Sequence, residues 1–369
     1  MKGLSTVLAA LAAAFATAPA IAAPVTDCPL RDMPFSADSP LVDLMLSEPA
    51  RAVLSRHSGK DFDKVPPRFF GTTPPTFAAI LTMKESARFT GMTPAAIAAA
   101  DADLRKLPVT AADKRARCAR YDNEVPKFDL PRGKPRILLF EKINGFKDEP
   151  SVNAARAALT AMAERKGWAL AVTDKGGAFN PRTLRQFDAV IWNNISGDVL
   201  TLSQRKAFEN YMRSGGGFVG IHGSAGDFVY YWDWYVDRLI GARFTSHPMD
   251  PQFQDARISV DGAHPLAAAL PREWTMNDEW YSFRTNPRSV GAKVLLTLDE
   301  STYKPVGPMG MDLRMGDHPL AWTNCIGKGR MFYSAIGHRP ETYSQPQNVA
   351  MLEAAIGWTA GAKGACGGK

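Results

Sequence analysis

The chain has 369 residues, 45% of them hydrophobic, four cysteines, and a formal net charge of +7. That length and apolar content exclude wholesale disorder and suit two domains, or one large domain with an extension. The basic residues are dispersed, without a Lys/Arg run or a nucleic-acid-binding module, so a nucleic-acid partner is not expected.

Taken in chain order, Lys2, the apolar run from Leu4 to Phe15 and the small-residue site Ala20-Ile21-Ala22 read as a secretory signal peptide over residues 1–22. The run is too short for a membrane anchor and Pro19 interrupts it. No later segment is long and apolar enough to span a bilayer, so a periplasmic or secreted protein without membrane insertion is expected. Cys28 does not directly follow the cleavage site, which argues against a lipid anchor. Loss of Lys2 with the signal leaves a charge of +6.

Residues 23–134 read as a helical module and linker. Leu41, Leu44, Leu46, Ala50 and Val53 fit one amphipathic helix ending near Gly59, and Thr93-Pro94 opens a second that runs to Leu104. Pro66-Pro67-Arg68-Phe69-Phe70-Gly71 and Pro74-Pro75 are too punctuated for regular structure. The stretch from Asn123 to Pro135 reads as the connector.

From residue 135 to 361 strands and helices alternate. The buried strand Arg136–Phe140 is followed by a helix lined by Val152, Ala155, Leu159 and Met162, then by strands at Ala169–Val172 and Asp188–Asn194. Thr201 and Gln204 form a capping box ahead of a helix, and Gly215 ends it. That period predicts a flavodoxin-like, doubly wound, mostly parallel sheet. Short strands follow at 294–298, 320–323 and 331–334, the last two joined at Gly327-Lys328-Gly329. A final helix from Gln347 to Trp358 precedes a glycine-rich tail at 362–369.

Residues 215–248 carry the most information. Three glycines lead into the apolar run Phe218-Val219-Gly220-Ile221, which stops at His222; aromatic residues and a second histidine, His247, follow. A buried strand ending at a small-residue turn with one titratable side chain is how α/β proteins present a group at the carboxyl edge of a sheet. Histidine stands where a nucleophile elbow has serine or cysteine, so nucleophilic catalysis is not expected. The four cysteines allow three disulfide connectivities; Cys28–Cys118 and Cys325–Cys366 are favoured because each stays within one region.

Several segments in the same order resemble the ThuA-like (trehalose-utilisation) family: Ile143-Asn144-Gly145-Phe146, Asp188–Val199, the stretch through Ser246-His247-Pro248, His264-Pro265-Leu266, Asn277-Asp278-Glu279-Trp280-Tyr281, Gly316-Asp317-His318-Pro319, and Gly327 through His338. The resemblance covers roughly residues 135–360 and implies a class I glutamine-amidotransferase-like fold with a loose link to carbohydrate metabolism. Family members commonly carry Gly-Phe-Arg-His after the first strand. Here the chain reads Gly145-Phe146-Lys147-Asp148-Glu149; if that histidine contributes chemistry in the relatives, this chain must replace it with Asp148 or Glu149, or lack the activity.

The carboxyl ends of the strands supply the candidate site. His222 and His338 are expected to act as general base or acid with Glu279. Asn194, His247, Asp278, Trp280, Trp234 and Lys142 are the candidate substrate contacts, with the aromatic faces of Trp232, Trp234, Tyr235, Trp280 and Tyr281 suited to pyranose rings. Asp278 and Glu279 are adjacent, so in an extended segment only one can enter the site, and Glu279 is preferred. His222, His247, His338 and Glu279 would suit a divalent metal chemically, but their scattered positions assign none, and the cofactor stays open. The expected partner is a small-molecule carbohydrate. The leading reading is an enzyme on a sugar or oxidised sugar derivative, with hydrolase, lyase and isomerase undistinguished. The alternatives are a non-catalytic carbohydrate-binding protein and an interaction scaffold that uses the helical module.

Overall fold

The computed structural model describes residues 24–62, 64, 70–262, 264–361 and 366. The signal peptide, the Pro66–Phe69 stretch and, apart from Cys366, the 362–369 tail lie outside the described residues.

The N-terminal module contains α1 (Leu41–Leu46), α2 (Glu48–Ser58), α3 (Met83–Thr90), α4 (Pro94–Leu104) and α5 (Ala111–Cys118). Polar side chains start three of these helices. Thr82 with Glu85 and Thr110 with Asp113 form capping boxes, and Thr93 caps α4 ahead of Pro94. The single helix expected from Leu41 to Gly59 is two. Ser47 is extended and Pro49 occupies the first turn of α2, where a proline starts a helix but cannot continue one. Phe35, Leu41, Leu44, Val53, Leu54, Leu81 and Leu104 close a core of the module's own.

The second part is built on a nine-stranded sheet in the order β2-β1-β3-β4-β11-β10-β9-β6-β7. Its parallel half comprises β1 (Arg136–Phe140), β2 (Ala169–Thr173), β3 (Ala189–Asn193), β4 (Gly217–Ile221) and β11 (Gly329–Ser334). Every residue of β3 and β4 is buried, as strands covered on both faces require. The covering helices include α6 (Glu149–Lys166), which turns Val152, Ala155, Leu159 and Met162 inward, α8 (Leu202–Arg213), and α9 (Pro346–Ala360), which packs on β4 and β11. A short α7 (Pro181–Leu184) precedes β3.

The other half is antiparallel: β6 (Phe253–Val260), β7 (Glu273–Glu279), β9 (Lys293–Leu298) and β10 (Pro319–Ile326), with β5 (Phe244–Ser246) and β8 (Ser282–Phe283) pairing apart from it. Asp278 and Glu279 end β7. Counting reversals from β11 through β10, β9 and β6 makes β7 run the same way as β11, so both end at one edge of the sheet. A flat sheet would hold β7 roughly 19 Å from β11, at about 4.8 Å per strand. The antiparallel half therefore curls over the carboxyl edge, because Glu279 at the end of β7 lies 3.3 Å from His222, the residue directly after β4, one strand farther still.

Two disulfides staple the ends, Cys28–Cys118 in the module and Cys325–Cys366 from β10 to the tail. Among the described residues no helix is long and apolar enough to cross a membrane. The module is joined to the sheet edge by Thr76 N–H donating to the Asn144 carbonyl (3.0 Å), by Phe77 against Phe146 (5.0 Å), and by the Asn144 side-chain amide donating to the Arg120 carbonyl (3.2 Å).

Candidate active site

Two strand ends set the floor of the site. Just past β3, Asn194 takes φ +53°, and just past β4, His222 takes φ +40°. Left-handed backbone is costly for residues with a Cβ and is held only where the surroundings fix it. They do so here. Asn194 donates to Asn193 and to the Tyr343 hydroxyl (3.0 Å each) and accepts from Gly223 N–H (3.3 Å), while Tyr333 donates to the His222 carbonyl (2.8 Å).

His222 is 3% exposed and stacks on Tyr281 at 4.1 Å. Its Nδ1 lies 2.7 Å from the Ala335 carbonyl, an acceptor only, so that nitrogen carries the proton. Its Nε2 then faces Glu279 Oε2 at 3.3 Å and His338 Nδ1 at 3.3 Å. His338 Nδ1 lies 3.0 Å from the same carboxylate oxygen. The other oxygen, Oε1, accepts from the amide of Gln252 and lies 3.1 Å from His247 Nδ1, which is itself hydrogen-bonded to the Pro248 carbonyl at 2.9 Å. Three imidazoles thus surround one buried carboxylate.

Electrostatics follow from that crowding. Burial pushes the Glu279 carboxyl up, but His247, His222 and His338 outweigh it and hold the group well below the usual carboxylate range. Burial opposes charge on His338 as well, yet Glu279 and Asp148 leave its imidazole more basic than usual. In His247 burial prevails and lowers the value. Asp227, farther along the wall, is raised to about 7 by burial, against donors from Ser196 and Gly197.

The cluster opens into a cleft of about 580 Å³. Phe146, Phe228, Phe244, Phe253 and Tyr281 line it from the α/β domain, and the helical module contributes Phe77, Ile80, Arg88 and Phe89. The module's share was not legible, since nothing in its spacing marks a site.

Of the sequence candidates, His222, Glu279, His338, His247 and Asn194 come together in the cleft. Asp278 lies behind it, fully buried, accepting from the backbone of Gly337 (2.7 Å) and Arg339 (2.9 Å) on either side of His338. Three candidates lie elsewhere. Trp280 is a core residue whose indole donates to the Gln254 carbonyl at 2.9 Å. Trp234 stacks on Trp232 in a π-helical turn, Trp234–Ile240, away from the cleft. Lys142 pairs with Asp122 at 2.9 Å in a separate groove. The two tryptophans are drawn into packing by their area, and the rings that line the cleft are mainly phenylalanines. Of the two acids that follow Phe146, Asp148 reaches the cleft, its Oδ2 lying 3.9 Å from His338 Nε2. Glu149 opens α6 and pairs with Lys147.

A comparison with curated proteins yields no match. Among solved structures, the chain is similar to a ThuA-like protein from Bacteroides uniformis, at 26% identity and a TM-score of 0.53 over 63% of this chain and 95% of that one. It is also similar to a ThuA-like protein from Parabacteroides merdae, at 19% identity and a TM-score of 0.47 over 61% of this chain and 89% of that one. The family model described as "ThuA: Trehalose utilisation" matches residues 136–359, the sheet domain with every member of the histidine–carboxylate cluster. The chain belongs to the ThuA family.

Proposed function

We propose that the protein is an exported enzyme that binds a sugar or an oxidised sugar derivative in this cleft and moves protons on it with His222, Glu279 and His338. The carrying observation is the buried Glu279 carboxylate ringed by three imidazoles on the floor of an open cleft. A purely structural carboxylate needs donors, but it does not need three imidazoles around it. One imidazole can take a proton from a ligand hydroxyl or from a carbon beside a carbonyl while another returns it. Two disulfides support export.

Arg88 favours an oxidised, acidic sugar. Its guanidinium sits at the cleft wall over the rings of Phe89 (4.7 Å) and Phe228 (5.1 Å). Glu85, the carboxylate that acts on it, is already engaged in capping α3. A ligand carboxylate would give this guanidinium the bidentate partner it suits. The module's share of the wall also favours a role in ligand binding over recruitment of a protein partner.

The non-catalytic reading draws on the missing histidine of the Gly-Phe-Arg-His motif, and the position of Asp148 beside His338 answers it in part. A thermal-shift panel of neutral sugars, keto-sugars and sugar acids tests the proposal. A true ligand at a hundredfold excess over its dissociation constant adds about 2.7 kcal/mol of apparent stability. Sugar acids are expected to shift the wild type, and Arg88→Ala to lose that preference. A panel without any shift would refute the carbohydrate reading.

A further inference from the structure

The protons around Glu279 do not fill the lone pairs that converge there. His222 Nδ1 holds its proton against the Ala335 carbonyl at 2.7 Å, so Nε2 carries the ring's available lone pair. That lone pair points at Glu279 Oε2 (3.3 Å) and His338 Nδ1 (3.3 Å). His338 Nδ1 and Oε2 are 3.0 Å apart and can share one proton between them, which leaves His222 Nε2 without a donor of its own. The other carboxylate oxygen already has a donor in Gln252, and His247 Nδ1, hydrogen-bonded to the Pro248 carbonyl at 2.9 Å, lies 3.1 Å from it.

We propose that His222 Nε2, His338 Nδ1 and Glu279 Oε2 bind one first-row divalent transition-metal ion, zinc being the simplest case. Its remaining coordination positions would face the cleft. A point about 2.1 Å from all three atoms sees them at angles of about 90–105°, within the range for zinc–imidazole and zinc–carboxylate bonds. The three ligand atoms all lie within 4.8 Å of one another. Two imidazoles and one carboxylate on one face, with the other positions open, is a donor set for catalysis rather than for structure.

Each ligand also has a partner that fixes its orientation. Ala335 holds His222, Gln252 holds Glu279, and Asp148 lies 3.9 Å from His338 Nε2, where it favours a proton on that nitrogen and a free lone pair on Nδ1. Such partners tune a metal site nearly as much as the ligands do. Asp148 is itself held by the Ser151 hydroxyl.

The inference rests on the same cleft as the proposed function and changes the roles within it. With an ion bound, the imidazoles and the carboxylate act as ligands. Held by His222, Glu279 and His338, the ion would supply Lewis-acid polarisation of a sugar carbonyl or hydroxyl oxygen.

The test uses the mature protein stripped with a chelator and dialysed. Calorimetric titration with zinc chloride is expected to show one equivalent bound, and cobalt chloride to produce visible absorption bands of a nitrogen/oxygen-ligated ion. His222→Ala and Glu279→Gln should abolish both. Asp148→Asn keeps every ligand and should weaken zinc by about 10–100-fold. No saturable binding to the folded wild type, or binding that folded His222→Ala retains unchanged, overturns the proposal. If His222→Ala does not fold, the cobalt spectrum of the wild type decides, and its absence overturns the proposal. Turnover of a sugar by metal-free protein in excess chelator would refute the metal and keep the enzyme. Zinc binding without any sugar shift would keep the metal and refute the carbohydrate reading.

Discussion

Replacing Asp278 by asparagine tests whether the cleft depends on a residue that never enters it. The carboxylate is fully buried and accepts from Gly337 N–H at 2.7 Å and Arg339 N–H at 2.9 Å, clamping the backbone on both sides of His338. Hydrogen bonds to a charged group contribute about 1.5–3 kcal/mol each. Asparagine keeps one acceptor, at the ordinary strength of about 1 kcal/mol, and turns an N–H toward a buried N–H at the other position, adding a penalty of about 1–3 kcal/mol. Removing a buried charge offsets part of this, since burial raises the Asp278 carboxyl despite His222 and the backbone donors. The net expectation is a loss of about 3 kcal/mol, or roughly 4 °C in melting temperature for a chain of this length. A loosened clamp also lets His338 Nδ1 move from Glu279, and a displacement of about 1 Å is enough to cost turnover about 100-fold. Urea denaturation and sugar turnover, measured on one preparation, check both halves. Stability within about 0.5 kcal/mol of wild type, the spread of neutral surface changes, together with full turnover, would refute the clamp.

Asp227 predicts a pH dependence of stability. Its folded value of about 7 lies above the ordinary aspartate value of 3.8, so the folded state holds the proton more tightly. Its contribution is therefore fully present below about pH 4 and lost as pH rises to about 7, by up to about 4 kcal/mol. Asp227→Asn should flatten that slope in denaturation curves from pH 4 to 8 and gain stability at the upper end; an unchanged slope contradicts it. Asp43→Ala leaves the buried Arg120 and Arg117 guanidinium groups without their shared carboxylate and should cost about 3–5 kcal/mol by chemical denaturation. An effect below about 1 kcal/mol, the scale of exposed pairs, would contradict it. Replacing Cys28 and Cys118 by serine opens a loop with a sequence separation of 90 and should cost about 4–5 kcal/mol, measured the same way. A double variant as stable as wild type would show that the module's packing alone holds its N-terminus.

What was legible in the chain follows from which forces dominate where. The parallel half could be read because β1, β3 and β4 are covered on both faces, and burial on both faces selects short continuous apolar runs such as Phe218–Ile221. His222 stood out because a glycine-framed run ends on it. β7 was hidden by a buried polar end: Asp278 faces inward where Trp274 and Met276 set the alternation, and the pattern breaks off there. β6 opens on an inward Gln254, which donates to the Pro251 and Lys304 carbonyls, but from Asp255 to Val260 it alternates as a half-buried strand does. Hiding β7 also hid how Glu279 reaches His222 across the curled sheet. Arg88, Phe77 and Phe89 could not be assigned at all. Their contribution depends on how the helical module docks on the sheet edge, which is a property of long-range packing rather than of local spacing.

The central claim is that this cleft performs chemistry on a sugar rather than only holding one. Proton NMR of a sugar acid or keto-sugar in deuterium oxide, with the wild type and with His222→Ala, tests it most directly. The account predicts product signals or deuterium exchange on the sugar with the wild type, and an unaltered sugar with the variant. A wild-type protein that binds the sugar and returns it unaltered, without exchange, would contradict it.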